Sequence, residues 1–142
     1  MTNRTRKNHN EYRQYAVNVP IGTCEFCEFT EDHQSVLDSN KYFWVVKNIF
    51  PYDVWDTAGV SRHLMVIPRR HVDSIAHFSE TERKAYVDLL ANYEKDGFSI
   101  YARAPTSKIK SVIHQHTHLI EVDNKVKRIL FYVKKPRIMW SK

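Results

Sequence analysis

Three histidines occupy alternate positions in the segment SVIHQHTHLI, residues 111–120. The segment is otherwise largely apolar and rich in residues that favour strands, so its pattern predicts a β-strand. Alternate side chains of a strand share one face, and His114, His116 and His118 would then form a row with a spacing of about 7 Å. Imidazole can bind a metal, transfer a proton or attack an electrophile, and the row therefore predicts a chemical site.

Two kinds of chemistry compete for this row. A zinc ion held by three histidines, with an open fourth position, would make a hydrolase. The spacing is too wide for all three rings to reach one ion on a regular strand, and a barrel-type metallohydrolase needs a much longer chain. Phosphate transfer fits better, because a neutral imidazole can attack phosphorus while neighbouring groups bind the phosphate and the departing oxygen.

The surrounding sequence predicts an α+β fold. Ser79 and Glu82 have the spacing of a capping box, and the apolar residues after them recur at helical intervals until Gly97, which predicts one long helix. A shorter helix is expected near residues 10–16. Patterns of aromatic and β-branched residues predict strands at residues 41–50, 63–68, 98–104, 111–120 and 128–133, with a loop at 51–62. We expect an antiparallel, meander-like sheet of about five strands packed against the long helix.

Composition indicates one domain with a core of its own. The chain has 142 residues, of which 42% are hydrophobic, and we assign a basic segment to residues 1–20 and a single domain to 21–142. No apolar run is long enough for a signal sequence or a membrane span, so we expect a soluble, cytoplasmic protein without a membrane partner.

The net charge is +6 at neutral pH, which suits a polyanionic partner such as a nucleotide or a nucleic acid. A solvated basic surface explains the same charge equally well. The basic residues concentrate near the two ends: Arg4, Arg6, Lys7 and Arg13, then Lys125, Lys127, Arg128, Lys134, Lys135, Arg137 and Lys142.

The two cysteines lie in the segment CEFC, as Cys24 and Cys27. A structural disulfide is disfavoured in a chain expected to remain in a reducing compartment. A redox role is disfavoured because Glu25 lies between them and would oppose formation of a thiolate. Half of a tetrahedral zinc site is the better interpretation, and such a site needs two further ligands.

Taken together, these segments resemble the histidine triad (HIT) family of nucleotide hydrolases and transferases. SVIHQHTHLI is similar to the family's signature, and HLMVIPRRHV at residues 63–72 is similar to its second hallmark. CEFC lies where many microbial members carry a zinc-binding pair. NIFPY at residues 48–52 is similar to a segment of the branch that cleaves dinucleoside polyphosphates, and Trp140 matches a tryptophan near the end of several members.

The resemblance implies roles for individual residues. His116 would be the nucleophile that attacks the α-phosphorus and forms a nucleotidyl-histidine intermediate. His118 would hold the phosphate oxygens, with His63 beside the triad. Ser111 would contact the leaving group, and Asn48 would approach the ribose hydroxyls.

The same resemblance implies a structural zinc ion and no catalytic metal. Its ligands would be Cys24, Cys27, His71 and His114, the last of which is also the first catalytic histidine of the triad. Ahead of Ser111, the family has an asparagine and a glycine-rich turn, whereas this chain has ARAPTSKIK. Lys108 and Lys110 in that stretch would bind a longer phosphate chain or remain solvated.

The expected activity is hydrolysis or nucleotidyl transfer at the α-phosphate of a nucleoside polyphosphate, a dinucleoside polyphosphate or a nucleoside phosphoramidate. One alternative is removal of adenylate from nucleic acid ends, for which the basic termini would bind the backbone. Another is a zinc-stabilised nucleotide-binding module without turnover. The resemblance also implies a homodimer.

Overall fold

The computed structural model describes residues 4–18, 20 and 22–126. Its elements, in chain order, are α1 (Arg6–Asn18), β1 (Val36–Ser39), β2 (Phe43–Lys47), β3 (Val54–Trp55), β4 (Ala58–Pro68), α2 (Glu80–Lys95), β5 (Ser99–Ala102) and β6 (Thr117–Val126). The predicted α+β class, with an antiparallel sheet, one long helix and an N-terminal helix, is confirmed. The predicted strand at residues 128–133, Trp140 and the basic residues from Lys127 onward lie outside the described residues.

All strand pairs of the sheet are antiparallel, and the main order is β1-β2-β4-β6-β5, with β3 paired to the start of β4. The sheet therefore differs from a simple meander, because β6 lies between β4 and β5. This central position gives β6 a partner on both sides and buries the side chains at its beginning. Within the described part of the chain, no helix has the length and apolar character needed to cross a lipid bilayer.

Helix α2 begins where its sequence signal predicts. Ser79 Oγ accepts a hydrogen bond from the Glu82 backbone N–H at 3.2 Å, and the Glu82 carboxylate accepts one from the Ser79 N–H at 2.7 Å. This reciprocal pairing satisfies donors that the first helical turn leaves free. Tyr86 then extends from the helix into one face of the sheet, where its ring packs against Phe43 and Phe78.

The opposite face of the sheet carries the histidines. Its apolar part consists of Phe26, Trp44, Val46, Met65 and Ile67. His118 lies directly opposite Met65 in the pairing of β4 with β6, and residues paired in this way project to the same face. Helix α2 therefore supports the sheet from behind, while the other face is available for chemistry.

Two local predictions were wrong, and β1 was not predicted. Strand β6 begins only at Thr117, so the part of the triad before it is not regular strand. The predicted loop at residues 51–62 contains the hairpin of β3 and β4. Its turn places Asp56 and Thr57 in the left-handed region, at φ of 47° and 67°. Such a turn is usually built from asparagine and glycine, which is why the sequence did not indicate a hairpin.

Thr57→Gly is expected to stabilise the protein by roughly 0.5–1 kcal/mol, because a β-branched residue is strained at positive φ and glycine is not. Thermal unfolding should shift upward by a few degrees. Thr30→Gly provides the matched control at an exposed position without positive φ. This substitution should lower the melting temperature slightly, because it increases the conformational entropy of the unfolded chain. A lower melting temperature for Thr57→Gly would contradict the strain.

Candidate functional site

Four side chains form a cluster with the geometry of a metal site. The Cys24 and Cys27 Sγ atoms and the His71 and His114 ring nitrogens all lie within 4.8 Å of one another. Sγ of Cys27 is 3.2 Å from His71 Nδ1, and Sγ of Cys24 is 3.4 Å from His114 Nδ1. Ligands about 2.0–2.3 Å from a tetrahedral zinc ion have comparable separations. The four predicted ligands are thus brought together and fit the ion.

The tautomer of His114 suits metal binding. Its Nε2 lies 2.9 Å from the carbonyl oxygen of Pro68, which can only accept, so Nε2 carries the proton and Nδ1 presents its lone pair to the cysteines. A hydrogen bond of this kind commonly orients a histidine ligand. His114 is 0% exposed, and its ring belongs to this cluster.

The turn that carries the cysteine pair also contacts His116. A single turn of 3-10 helix at Glu25–Glu28 brings both thiols to one side, with the Cys27 N–H donating to the Cys24 carbonyl at 2.9 Å. Phe26 projects from this turn, and its ring centre lies 5.3 Å from that of His116. The Cys2His2 cluster and the remaining histidines are therefore adjacent parts of one site.

His116 has one nitrogen bonded and one free. Its Nδ1 lies 2.9 Å from the backbone carbonyl of His114, so Nδ1 carries the proton and Nε2 keeps a lone pair. Burial lowers the pKa of His116, which favours the neutral ring. The side chain is only 5% exposed. Among the described residues, Nε2 has no hydrogen-bond partner and is not among the fully buried unpartnered atoms, so it keeps some contact with solvent.

His63 and His118 form a directed pair of hydrogen bonds. The backbone N–H of Tyr52 donates to His63 Nδ1 at 3.0 Å, which leaves the His63 proton on Nε2. His63 Nε2 lies 2.9 Å from His118 Nδ1, and His118 must then carry its own proton on Nε2. That Nε2 is buried and has no partner in the described part of the chain. Such an atom is costly unless a ligand accepts its hydrogen bond.

Burial, followed by the nearby charge of Arg4, lowers the pKa of His63 from 6.5 to about 3. Because the unfolded state binds this proton and the folded state does not, His63 should destabilise the protein as pH falls from 6.5 toward 3, by about 1.4 kcal/mol per pH unit. Denaturant unfolding at several pH values should show a shallower dependence in His63→Gln than in the exposed-site control His77→Gln. Equal slopes in the two variants would contradict a neutral His63.

Of the remaining predicted residues, Asn48 contacts the histidine pair, because its Nδ2 lies 3.3 Å from His63 Nε2. Asn48 is buried, and its Oδ1 accepts a hydrogen bond from the Phe50 N–H at 2.9 Å. Lys110 Nζ donates to the Asp73 carbonyl at 2.9 Å and to Gln115 Oε1 at 3.3 Å. Lys108 and Ser111 are exposed. Ser111 precedes β6, so alternation along a strand does not determine where its hydroxyl points.

Sequence patterns did not identify Tyr52 as part of this site. Its ring is buried and lies 4.6 Å from the ring of His63 and 5.6 Å from that of His118, centre to centre. Arg4 and Arg103 contact Tyr52 from other parts of the chain. Only its place in the segment NIFPY set this tyrosine apart in the sequence.

The site thus combines a pair of interacting histidines, a third histidine with a free nitrogen and a Cys2His2 cluster on one face of an antiparallel sheet.

Solved structures of histidine triad proteins share this fold. A HIT family hydrolase from Clostridium thermocellum matches with a TM-score of 0.54 and 18% identity, covering 78% of this chain and 100% of that one. The chain therefore has the histidine triad fold, as its sequence motifs predicted.

Two further structures extend the comparison. A Zn-bound histidine triad family protein from Mycobacterium smegmatis has a TM-score of 0.54 and 16% identity, with 72% of this chain and 77% of that one covered. A histidine triad nucleotide-binding protein from Candida albicans has a TM-score of 0.52 and 16% identity, with coverage of 81% and 86%. No family sequence model matches the chain, and no curated protein matches it by sequence.

Proposed function

We propose that the protein is a nucleotide hydrolase or nucleotidyl transferase that cleaves at the α-phosphate through a covalent intermediate on His116. The observation that carries this proposal is the pairing of a free lone pair on His116 Nε2 with an unpartnered N–H on His118 Nε2, on rings whose centres are 5.2 Å apart. One group is a nucleophile and the other is a donor for a phosphate oxygen. The names of the solved neighbours agree with such a role.

In the first step, the lone pair of His116 Nε2 forms a bond to the α-phosphorus. The bond from phosphorus to the leaving group breaks, and the leaving group departs with the electron pair. His118 Nε2–H donates to a non-bridging phosphate oxygen, where charge accumulates, and the Ser111 hydroxyl would bind the departing atom. Water then attacks phosphorus, the N–P bond breaks with its electrons returning to Nε2, and the nucleoside monophosphate is released with a proton.

The four ligands of the Cys2His2 cluster would hold a zinc ion whose coordination is complete. Bound there, zinc would supply cross-linking between the N-terminal segment, the end of β4 and the start of the triad, without an open position for substrate. The side chains would carry the reaction alone.

The proposal is tested by incubating the protein separately with an adenosine phosphoramidate, diadenosine tetraphosphate and an adenylated DNA end. Release of adenosine monophosphate from the small substrates is expected, together with an adenylate adduct on the peptide that contains His116 in neutral-pH mass spectrometry. Release from adenylated DNA alone would favour the nucleic acid alternative. Binding without release from any of the three would indicate a module without turnover and overturn the proposal.

A further inference from the structure

Two arginines flank Tyr52 next to the His63–His118 pair. Arg103 Nη2 donates a hydrogen bond to the Tyr52 hydroxyl at 2.8 Å. The guanidinium carbon of Arg4 lies 4.9 Å from the centre of the Tyr52 ring. Since that ring is 5.6 Å from the ring of His118, both guanidinium groups lie one aromatic side chain away from the histidines.

The fold brings these arginines together from distant positions. Arg103 directly follows β5, and Tyr101 two residues earlier lies opposite His118 in the pairing of β5 with β6. Arg4 precedes α1, and its Nε and Nη2 donate to the Phe50 carbonyl at 3.1 and 2.8 Å. The beginning of the chain and the edge of the sheet therefore contribute one cation each.

Neither arginine has a carboxylate partner among the residues that the structure describes. The negative charge of Asp53 lies near enough to Arg4 to favour its charged form, but the carboxylate forms no ion pair with it and accepts hydrogen bonds from the Thr5 backbone and the Asn8 side chain. Both arginines are partly buried, and a partly buried charge that forms no ion pair is only incompletely compensated. An anionic ligand would remove that cost.

Electrostatics agree with this geometry. Burial lowers the pKa of Arg4, and the charge of Arg103 contributes to the same direction. The pKa of His118 is lowered first by burial and further by neighbouring charges, which include both arginines. The unpartnered His118 Nε2–H and the two guanidinium groups, neither of which forms an ion pair in the described part of the chain, therefore provide donors for an anion.

We propose that Arg4 and Arg103 bind the oligophosphate leaving group of a nucleoside polyphosphate or dinucleoside polyphosphate substrate. The inference rests on the proposed function, because it places the α-phosphate at His116 and His118 and the following phosphates beside Tyr52. Guanidinium groups bind phosphate oxygens through two parallel hydrogen bonds, which suits a chain of phosphates. A phosphoramidate substrate has no oligophosphate chain to place there.

The arginines are better placed for this task than the lysines of ARAPTSKIK. Lys110 already donates to Asp73 and Gln115. Lys108 is exposed, and within the described residues no contact connects its side chain to Tyr52 or to the triad histidines. The preference for an anionic leaving group is therefore assigned to Arg4 and Arg103.

The first test compares kcat/KM for diadenosine tetraphosphate with kcat/KM for an adenosine phosphoramidate. The ratio should fall by about 10- to 100-fold in Arg103→Gln and in Arg4→Gln, because each variant loses charge-assisted hydrogen bonds to the leaving group. Arg83→Gln is the matched control, since Arg83 is exposed on α2 behind the sheet, and its ratio should equal that of the wild type. An equal loss on both substrates would overturn the proposal by placing the arginines at the α-phosphate or in a structural role.

A second test does not depend on turnover. Titration of the protein with inorganic tripolyphosphate in a calorimeter should give binding that weakens about tenfold in Arg103→Gln and less in Arg103→Lys, which keeps the charge but loses the planar fork. His116→Ala should still bind tripolyphosphate. Loss of turnover with retained binding in this variant would separate the catalytic role of His116 from phosphate binding by the arginines. Binding of a short DNA strand that depends on these arginines, without any tripolyphosphate binding, would overturn the inference in favour of a nucleic acid ligand.

Discussion

His116→Ala is expected to lower turnover of diadenosine tetraphosphate and adenosine phosphoramidate by about three orders of magnitude or more. The reason is that, within the described part of the chain, only His116 combines a free Nε2 lone pair with a proton held on Nδ1 by a backbone carbonyl. The measurement is kcat from released adenosine monophosphate. His116→Gly should regain part of the activity when imidazole is added, because the added ring can occupy the vacated space and act as the nucleophile.

Two controls separate chemistry from folding. His77→Ala removes an exposed histidine that pairs with Asp73 and should leave turnover unchanged. His118→Ala should reduce turnover less than His116→Ala, since it removes a stabilising donor and leaves the nucleophile in place. Wild-type rates in a folded His116→Ala protein would exclude a covalent role for this histidine.

Removal of metal should lower the melting temperature by about 10 °C or more. Metal binding at a site formed by residues distant in sequence contributes directly to the free energy of folding. The measurement is thermal unfolding with and without a strong chelator, followed by re-addition of zinc, beside metal analysis of the purified protein. We expect about one zinc per chain and recovery of the original melting temperature.

His71→Ala should reproduce the effect of the chelator, whereas His77→Ala should not. The loss of metal should also slow turnover, because Phe26 projects from the turn between the cysteines and packs against His116. An unchanged melting temperature in a chelator-treated protein shown to contain no metal would contradict a structural role for the cluster.

Sequence signals predicted the features that depend on neighbouring residues. The capping box of Ser79 and Glu82 and the helix after it are local, so spacing alone was sufficient. The conformation of the triad was harder to predict, because β6 begins only at Thr117 and the irregular backbone before it places His114 beside the cysteines. A requirement imposed by residues 24 and 27 cannot be read from the pattern of residues 111–120.

The parts of the site that the sequence did not predict also depend on contacts between residues that are distant in sequence. Tyr52 contacts Arg4 and Arg103 across 48 and 51 positions in sequence, and their spacing contains no periodic signal. The hairpin that follows Tyr52 was missed because its turn uses Asp56 and Thr57 at positive φ. The resemblance to a known family, by contrast, predicted the four residues of the Cys2His2 cluster, which the fold brings together.

The hydrogen bonds from Tyr52 through His63 to His118 have a fixed direction, because the first donor is a peptide group that does not ionise at any physiological pH. Both rings are thereby confined to one tautomer, and the end of the series always presents hydrogen rather than a lone pair. A group that reaches His118 Nε2 must therefore offer an acceptor atom. A cation at this end would find no acceptor, so the requirement for an acceptor atom beside His118 Nε2 originates in a main-chain donor.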